Sequence, residues 1–194
     1  MGEKSVQKKQ FIVETARQVF ADKGFKDVTM KDIVDACGIS RGGLYLYFES
    51  TADLFREVMA AEKKEDITQV PEGFPEDAGA SDLLMFFLRE QKREILRRKN
   101  SLTVATYEYF FEVKPPRKEN PMRRQFSETV EMLQGLLAAG AASGEFYCED
   151  PEGAARNIMY VLEGLRISAQ TMGISEGMVD RELMYILQGL VYEE

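Results

Sequence analysis

The chain has 194 residues, 44% of them hydrophobic, enough apolar side chain for one large domain or two smaller ones. Its formal charge of −8 opposes indiscriminate binding to polyanions, and the complete absence of histidine removes the commonest general base and the commonest zinc ligand. No P-loop, G-x-S-x-G motif or cysteine cluster replaces them, so the composition points away from an enzyme and from any metal or organic cofactor.

The charge is unevenly spread. Up to Phe48 there are eight basic residues against six acidic ones, a local charge of +2, which leaves −10 for the rest. An acidic body with a mildly basic end can still meet a polyanion with that end. Two cysteines far apart in sequence, Cys37 and Cys148, suit a reducing compartment better than a disulfide framework. The opening "MGEKSVQKKQ" lacks the apolar run of a secretory leader, and "LLMFFL" (83–88) is too short to span a bilayer. A soluble cytoplasmic protein with no membrane partner is expected.

Helical periodicity runs throughout, and no alternating strand pattern competes with it. The first helix is predicted from about Lys8 to Lys23, with Ile12, Ala16, Val19 and Phe20 inward and Gly24 as a left-handed C-terminal cap. In "VTMKDIVDACG" Thr29 caps a short second helix and Asp32 reciprocates, with Met30, Ile33 and Val34 inward. Gly38 permits a tight turn, Ser40 caps a third helix, and Ser50 with Asp53 opens a fourth, from Thr51 to about Asp66.

Thr29 to Phe48 is therefore helix, glycine turn, helix, the spacing of a helix-turn-helix unit. In such a unit the second helix enters the DNA major groove by its N-terminal end, here Ser40 to Tyr45. Two adjacent glycines, Gly42 and Gly43, sit in that end at a cost of about 1 kcal/mol each relative to Ala. Absent Cβ atoms let the backbone approach bases or phosphates closely, and that approach offsets the lost propensity. Arg41 can pair bidentately with guanine, while Tyr45 and Tyr47 offer hydroxyls to phosphates. Leu44 and Phe48, four residues apart, face the three-helix core.

A loop, "QVPEGFPEDAGAS", then leads to longer helices. They are predicted at about Ser81–Lys99, Leu102–Val113, Met122–Ser143, a helix opening on Pro151, and Met178–Tyr192. The helix after Pro151 carries Ala155, Ile158, Leu162, Leu165, Ala169 and Met172. The last has Val179, Leu183, Ile186 and Leu190, with a second apolar row of Met184, Leu187 and Val191. The expected fold is all-α with about nine helices. Residues 1–49 would form the helix-turn-helix domain, and residues 50–194 a helical bundle for ligand binding and dimerisation.

"VTMKDIVDACGISRGGLYLYFESTADLF" resembles the DNA-binding signature of the tetracycline-repressor (TetR) family, and "ETARQVFADKGF" resembles that family's first helix. The resemblance covers about Lys8 to Phe55. It implies a bacterial transcription regulator, most often a repressor, that binds a palindromic double-stranded operator as a homodimer and is released by a small-molecule inducer. It also implies DNA contacts at Thr29, Lys31, Ser40, Arg41, Gly42, Gly43, Tyr45 and Tyr47. Many members carry Lys where this chain has Thr51, a residue that still offers a hydroxyl to a phosphate.

In the body, "TYEYFFE" (106–112) places Tyr107, Phe110 and Phe111 on one helical face, with Glu108 four residues from Glu112. Together with Phe86, Phe126, Met159 and Glu163 they are the expected lining of an inducer pocket, apolar with a few polar groups. The last two helices show apolar residues on more than one face, so one row needs a partner. The expected dimer face comprises Ala154, Gly164, Leu165 and Ala169 with Leu183, Ile186, Leu187 and Leu190. The alternative reading is a small-molecule-binding helical protein whose helix-turn-helix no longer reads DNA.

Overall fold

A computed structural model describes residues 2–62, 75, 77–97 and 99–190. Among them are nine helices and no strand, with α1 at Glu3–Lys23, α2 at Met30–Cys37, α3 at Arg41–Tyr45, α4 at Thr51–Glu62 and α5 at Ala80–Ile95. The others are α6 at Thr103–Val113, α7 at Pro121–Ser143, α8 at Pro151–Thr171 and α9 at Glu176–Gln188. The expected end of α4 at Asp66, and Val191 in the second row of α9, lie outside the described residues. No helix among the described residues is long and apolar enough to cross a membrane.

The N-terminal caps expected at Thr29 and Ser40 form, and three more appear that the sequence reading did not name. Thr29 Oγ accepts from Asp32 N at 3.3 Å while the Asp32 carboxylate accepts from Thr29 N at 2.8 Å, a reciprocal box opening α2. Ser40, Asn120, Asp150 and Ser175 cap α3, α7, α8 and α9, each accepting a backbone N–H three residues on. Each such cap is worth about 0.5–2 kcal/mol. α1 begins five residues before its predicted start, over a polar stretch with no apolar period to reveal it.

Two compact units form. The first is Met1–Asp66 with Arg98–Pro115, and the second is Ile67–Arg97 with Pro116–Glu194. By packing, then, α4 and α6 belong with α1–α3, a grouping distinct from the functional division expected at residue 49. In the first unit Ile12, Ala16, Phe20, Ile33, Leu44, Leu54 and Phe55 are fully buried. Phe20, Phe25, Phe55 and Tyr109 meet in an aromatic cluster, with Phe20–Phe55 centroids at 4.7 Å and Phe25–Tyr109 at 5.1 Å edge to face. Such pairs contribute about 0.5–1.5 kcal/mol each beyond area burial.

Gly24 departs from the expected left-handed cap. Its φ of +79° is positive, but ψ is −178°, so the chain leaves α1 extended. A Cβ there would lie 2.5 Å from a Glu108 carboxylate oxygen. That carboxylate accepts from Phe25 N at 2.6 Å and Lys26 N at 3.0 Å, tying α6 to the α1–α2 connection. Glycine thus serves here both for its backbone conformation and for the close approach.

In the second unit α7 and α8 pack on α5 and α9 around Leu84, Leu88, Leu133, Leu137, Ala155, Ile158, Leu162 and Val179. Glu145, in the turn after α7, accepts from Ala80 N at 3.1 Å and from Ser81 N at 2.8 Å. The Ser81 and Ser143 hydroxyls also donate to it, and these bonds hold its carboxyl down at about 2, against an ordinary value of 4.5.

Candidate nucleic-acid interface

The helix-turn-helix is built from local chemistry. Gly38, at φ +62° and ψ +32°, makes the left-handed turn that ends α2. Ser40 then accepts from Gly43 N at 3.1 Å to start α3. Leu44 and Phe48 face inward as expected, with Leu44 fully buried, so the opposite side of α3 must face out.

That outer side carries Ser40, Arg41, Gly42 and Tyr45, all exposed. The Arg41 guanidinium carbon stands 5.5 Å from the Tyr45 ring centroid, a cation–π contact that lays the arginine along the helix. The two glycines divide by role. A Cβ on Gly42 would meet nothing within 4 Å, so no contact inside the chain demands glycine there. At Gly43 it would lie 3.1 Å from Ser40 Oγ, so this glycine also protects the cap.

The remaining predicted contacts sit around this edge. Thr29 and Lys31 are exposed on α2, while Thr51 is half-buried in the first turn of α4. Tyr47 is less available than expected, because its ring packs on the core and its hydroxyl accepts from Ser5 Oγ at 3.4 Å. Sequence reading named neither Leu46, which is 83% exposed directly after α3, nor the first turns of α1, whose Ser5 meets Tyr47 and whose Lys9 pairs with Glu57 of α4. The basic run "QKK" was the available sign of the latter.

Electrostatics sharpen the picture. Within this unit Lys9 pairs with Glu57 at 2.7 Å, Arg17 with Glu62 at 2.6 Å, Lys23 with Asp32 at 2.6 Å, and Arg56 with Asp53 at 2.7 Å. The Lys23 ammonium and the Thr29 donors hold the Asp32 carboxyl well below its ordinary range. Lys8, Lys31 and Arg41 carry no ion pair among the described residues, leaving their charge for an external anion.

The residues expected around a ligand divide between the units. Phe86, Phe126, Met159 and Glu163 lie in the second, while Tyr107, Glu108, Phe110 and Phe111 lie in the first. The buried face of α6 is Ala105 and Tyr109, not the predicted row, and Phe111 is 74% exposed. Glu108 is engaged by the two backbone N–H groups already described, and Phe110 packs on the first core. In the second unit Met159 is buried and Phe126 lies 5.2 Å from the Tyr160 ring. Glu163 pairs with Arg166, which also donates to Gln91, a buried polar side chain in an otherwise apolar core. An open concavity of about 260 Å³ beside Phe86, Met85 and Arg89 is a second feature of that unit.

The expected dimer face lies partly inside the chain. Leu165, Leu183, Ile186 and Leu190 pack in the unit's own core and keep 6–9% of their surface. Ala154, Ala169 and Leu187 are half-buried, and Gly164 is exposed. The apolar row left outside is Tyr160 (64% exposed) and Ile167 on α8, with Met178, Met184 and Tyr185 on α9. Met172, among the apolar residues expected on that helix, follows its last turn and is 76% exposed.

Comparison with known proteins finds a family match in each part of the chain. Residues 12–58 match the family described as bacterial regulatory proteins, tetR family, and residues 83–180 match the tetracyclin repressor-like C-terminal domain. The Bacillus subtilis protein YfiR, described as an uncharacterized HTH-type transcriptional regulator, is 32% identical over 147 residues. That match covers 72% of this chain and 68% of YfiR. The HTH-type transcriptional repressor KstR2 of Mycolicibacterium smegmatis is 40% identical over 48 residues, 25% of this chain and 23% of that protein. In fold the chain is similar to a TetR transcription regulator from Haloarcula marismortui, with a TM-score of 0.81 over 96% of this chain and 100% of that one, at 16% identity.

Proposed function

This chain belongs to the TetR family of bacterial regulatory proteins, and on that premise we propose that it works as a homodimeric repressor on a palindromic operator, released by a small molecule. That it is a DNA-binding transcriptional regulator follows from the family. The homodimer, the operator symmetry and the release are the proposal, as is its cytoplasmic location.

The observation that carries it is the outer side of α3. Arg41 and Gly42 stand exposed at the helix's first turn, and the chain's own packing gives no reason for the glycine. Two such helices, one per subunit, must lie about 34–36 Å apart to enter successive major grooves. The outward row of Tyr160, Ile167, Met178, Met184 and Tyr185 supports pairing through α8 and α9. Exposed apolar side chains on two helices in contact suit an interface, and the same surface on two copies closes around a two-fold axis.

Release requires a ligand that binds one conformation better than the other, and only that difference in affinity shifts the equilibrium. The second unit, with Phe86, Phe126, Met159 and the Glu163–Arg166–Gln91 polar group, is where such a ligand is proposed to bind. Its signal has a covalent route. α6 folds with the DNA-binding helices, yet in the chain it lies between α5 and α7 of the second unit, so the chain passes from one unit to the other on either side of it.

Gel shifts with duplexes from the DNA flanking its own gene test the reading. Sequence-selective binding at one dimer per site is expected. Binding that does not distinguish these duplexes from random DNA would overturn it and favour a ligand-binding protein that no longer reads DNA.

A further inference from the structure

The first turns of α1 lie outside the helix-turn-helix unit and outside the proposed ligand site. Three side chains of α1 there, Ser5, Lys8 and Lys9, approach the DNA-reading elements in different ways. Ser5 Oγ donates to the Tyr47 hydroxyl at 3.4 Å. Lys9 reaches across to Glu57 at 2.7 Å and lies 5.6 Å from the Phe48 ring centroid. Lys8, one residue away, points its ammonium to within 3.9 Å of where a Cβ on Gly43 would be.

Two adjacent lysines thus sit in opposite electrostatic states. The charge of Lys9 is met inside the chain by Glu57. Lys8 is exposed and has no ion pair among the described residues, and it stands beside Gly43, the residue that follows Gly42 and lies two after Arg41 in α3. An ammonium is a compact point charge on a flexible stem, suited to a phosphate oxygen rather than to reading a base. A duplex close enough for Arg41 to reach a base edge brings its sugar–phosphate strand past the same two glycines. The free cation at that place is Lys8.

We infer that Lys8 is a phosphate-binding residue of the DNA interface, supplied by α1 beside the Cβ-free step of α3, whereas Lys9 is a purely internal ion-pair partner. The inference rests on the regulator reading above. It adds to the interface a helix outside the helix-turn-helix unit, and with it one neutralised phosphate per subunit.

The test compares Lys8→Gln, Lys9→Gln and Lys8→Arg in the full chain, each checked for a native far-UV circular dichroism spectrum. Affinity for a duplex that the wild type binds selectively, and for a random duplex, is followed by fluorescence anisotropy between about 50 and 200 mM salt, the range over which phosphate contacts dominate the change. Lys8→Gln is expected to flatten the log–log salt slope by about 0.9 per subunit, or about 1.8 per dimer. It should weaken both duplexes by the same factor, several-fold or more at about 100 mM salt, as a phosphate contact does. Lys8→Arg should restore the slope, and Lys9→Gln should leave it at the wild-type value. A Lys8→Gln slope equal to the wild type overturns the inference, as does an equal loss in Lys9→Gln. If the wild type itself selects no duplex, the regulator reading has failed and this inference falls with it.

Discussion

Replacing Gly24 by Ala should unfold the chain at markedly lower denaturant, for two separable reasons. The first is the backbone: φ +79° with ψ −178° belongs to a region that is essentially glycine's own, and holding an L-residue there costs about 1–3 kcal/mol. The second is Glu108, whose carboxylate oxygen lies 2.5 Å from the new Cβ and has to move. Swinging a flexible carboxylate aside is sterically cheap. It gives up, however, the bonds from Phe25 N and Lys26 N, each a hydrogen bond to a charged acceptor in the class worth about 1.5–3 kcal/mol. Because Lys26 N is solvent-exposed its bond adds little, so one bond at the lower end, about 1.5 kcal/mol, joins the backbone cost and the total comes to about 2.5–4.5 kcal/mol. With a urea slope of about 2 kcal/mol per molar, the midpoint falls by roughly 1–2 M. Far-UV circular dichroism follows the unfolding directly in a chain with no tryptophan. In a Glu108→Ala background the same substitution should cost only the backbone part, leaving a coupling of about 1–2 kcal/mol. An identical cost with and without the carboxylate would refute the linkage of α6 to the α1–α2 connection.

Two further outcomes follow from the geometry. Arg41→Ala should weaken binding to the operator by about 5- to 150-fold, the value of a bidentate base contact, and binding to random DNA far less, both read by anisotropy; equal losses would make Arg41 a phosphate contact. The Glu145 carboxyl titrates at about 2 when folded, against an ordinary 4.5, so its stabilising contribution is complete above pH 4.5 and is lost as pH falls toward 2. The thermal midpoint of the wild type should therefore drop across that window more steeply than that of Glu145→Gln, and parallel curves would contradict the assignment.

The DNA-binding half was more legible than the body because its signals are local. Thr29, Ser40 and Ser50 act on N–H groups three residues away, and Leu44 with Phe48 differ sharply from their polar neighbours. In α6, by contrast, Tyr107, Tyr109, Phe110 and Phe111 surround the helix with aromatic rings, and periodicity cannot say that Tyr109 is the one that goes inside. α8 and α9 each carry two apolar rows, and the sequence shows both without showing that Leu183 and Ile186 turn inward while Met184 and Tyr185 stay out. The Glu108 tie spans 83 residues, so Gly24 read alone resembled an ordinary helix cap.

Operator affinity of Gly42→Ala tests most directly whether α3 was built to be approached by another molecule. A methyl group at this site enters open space in the chain and should raise helix stability by about 1 kcal/mol. If the glycine exists for close contact with DNA, the more stable variant binds its operator more weakly. Higher stability with undiminished operator binding would contradict that reading.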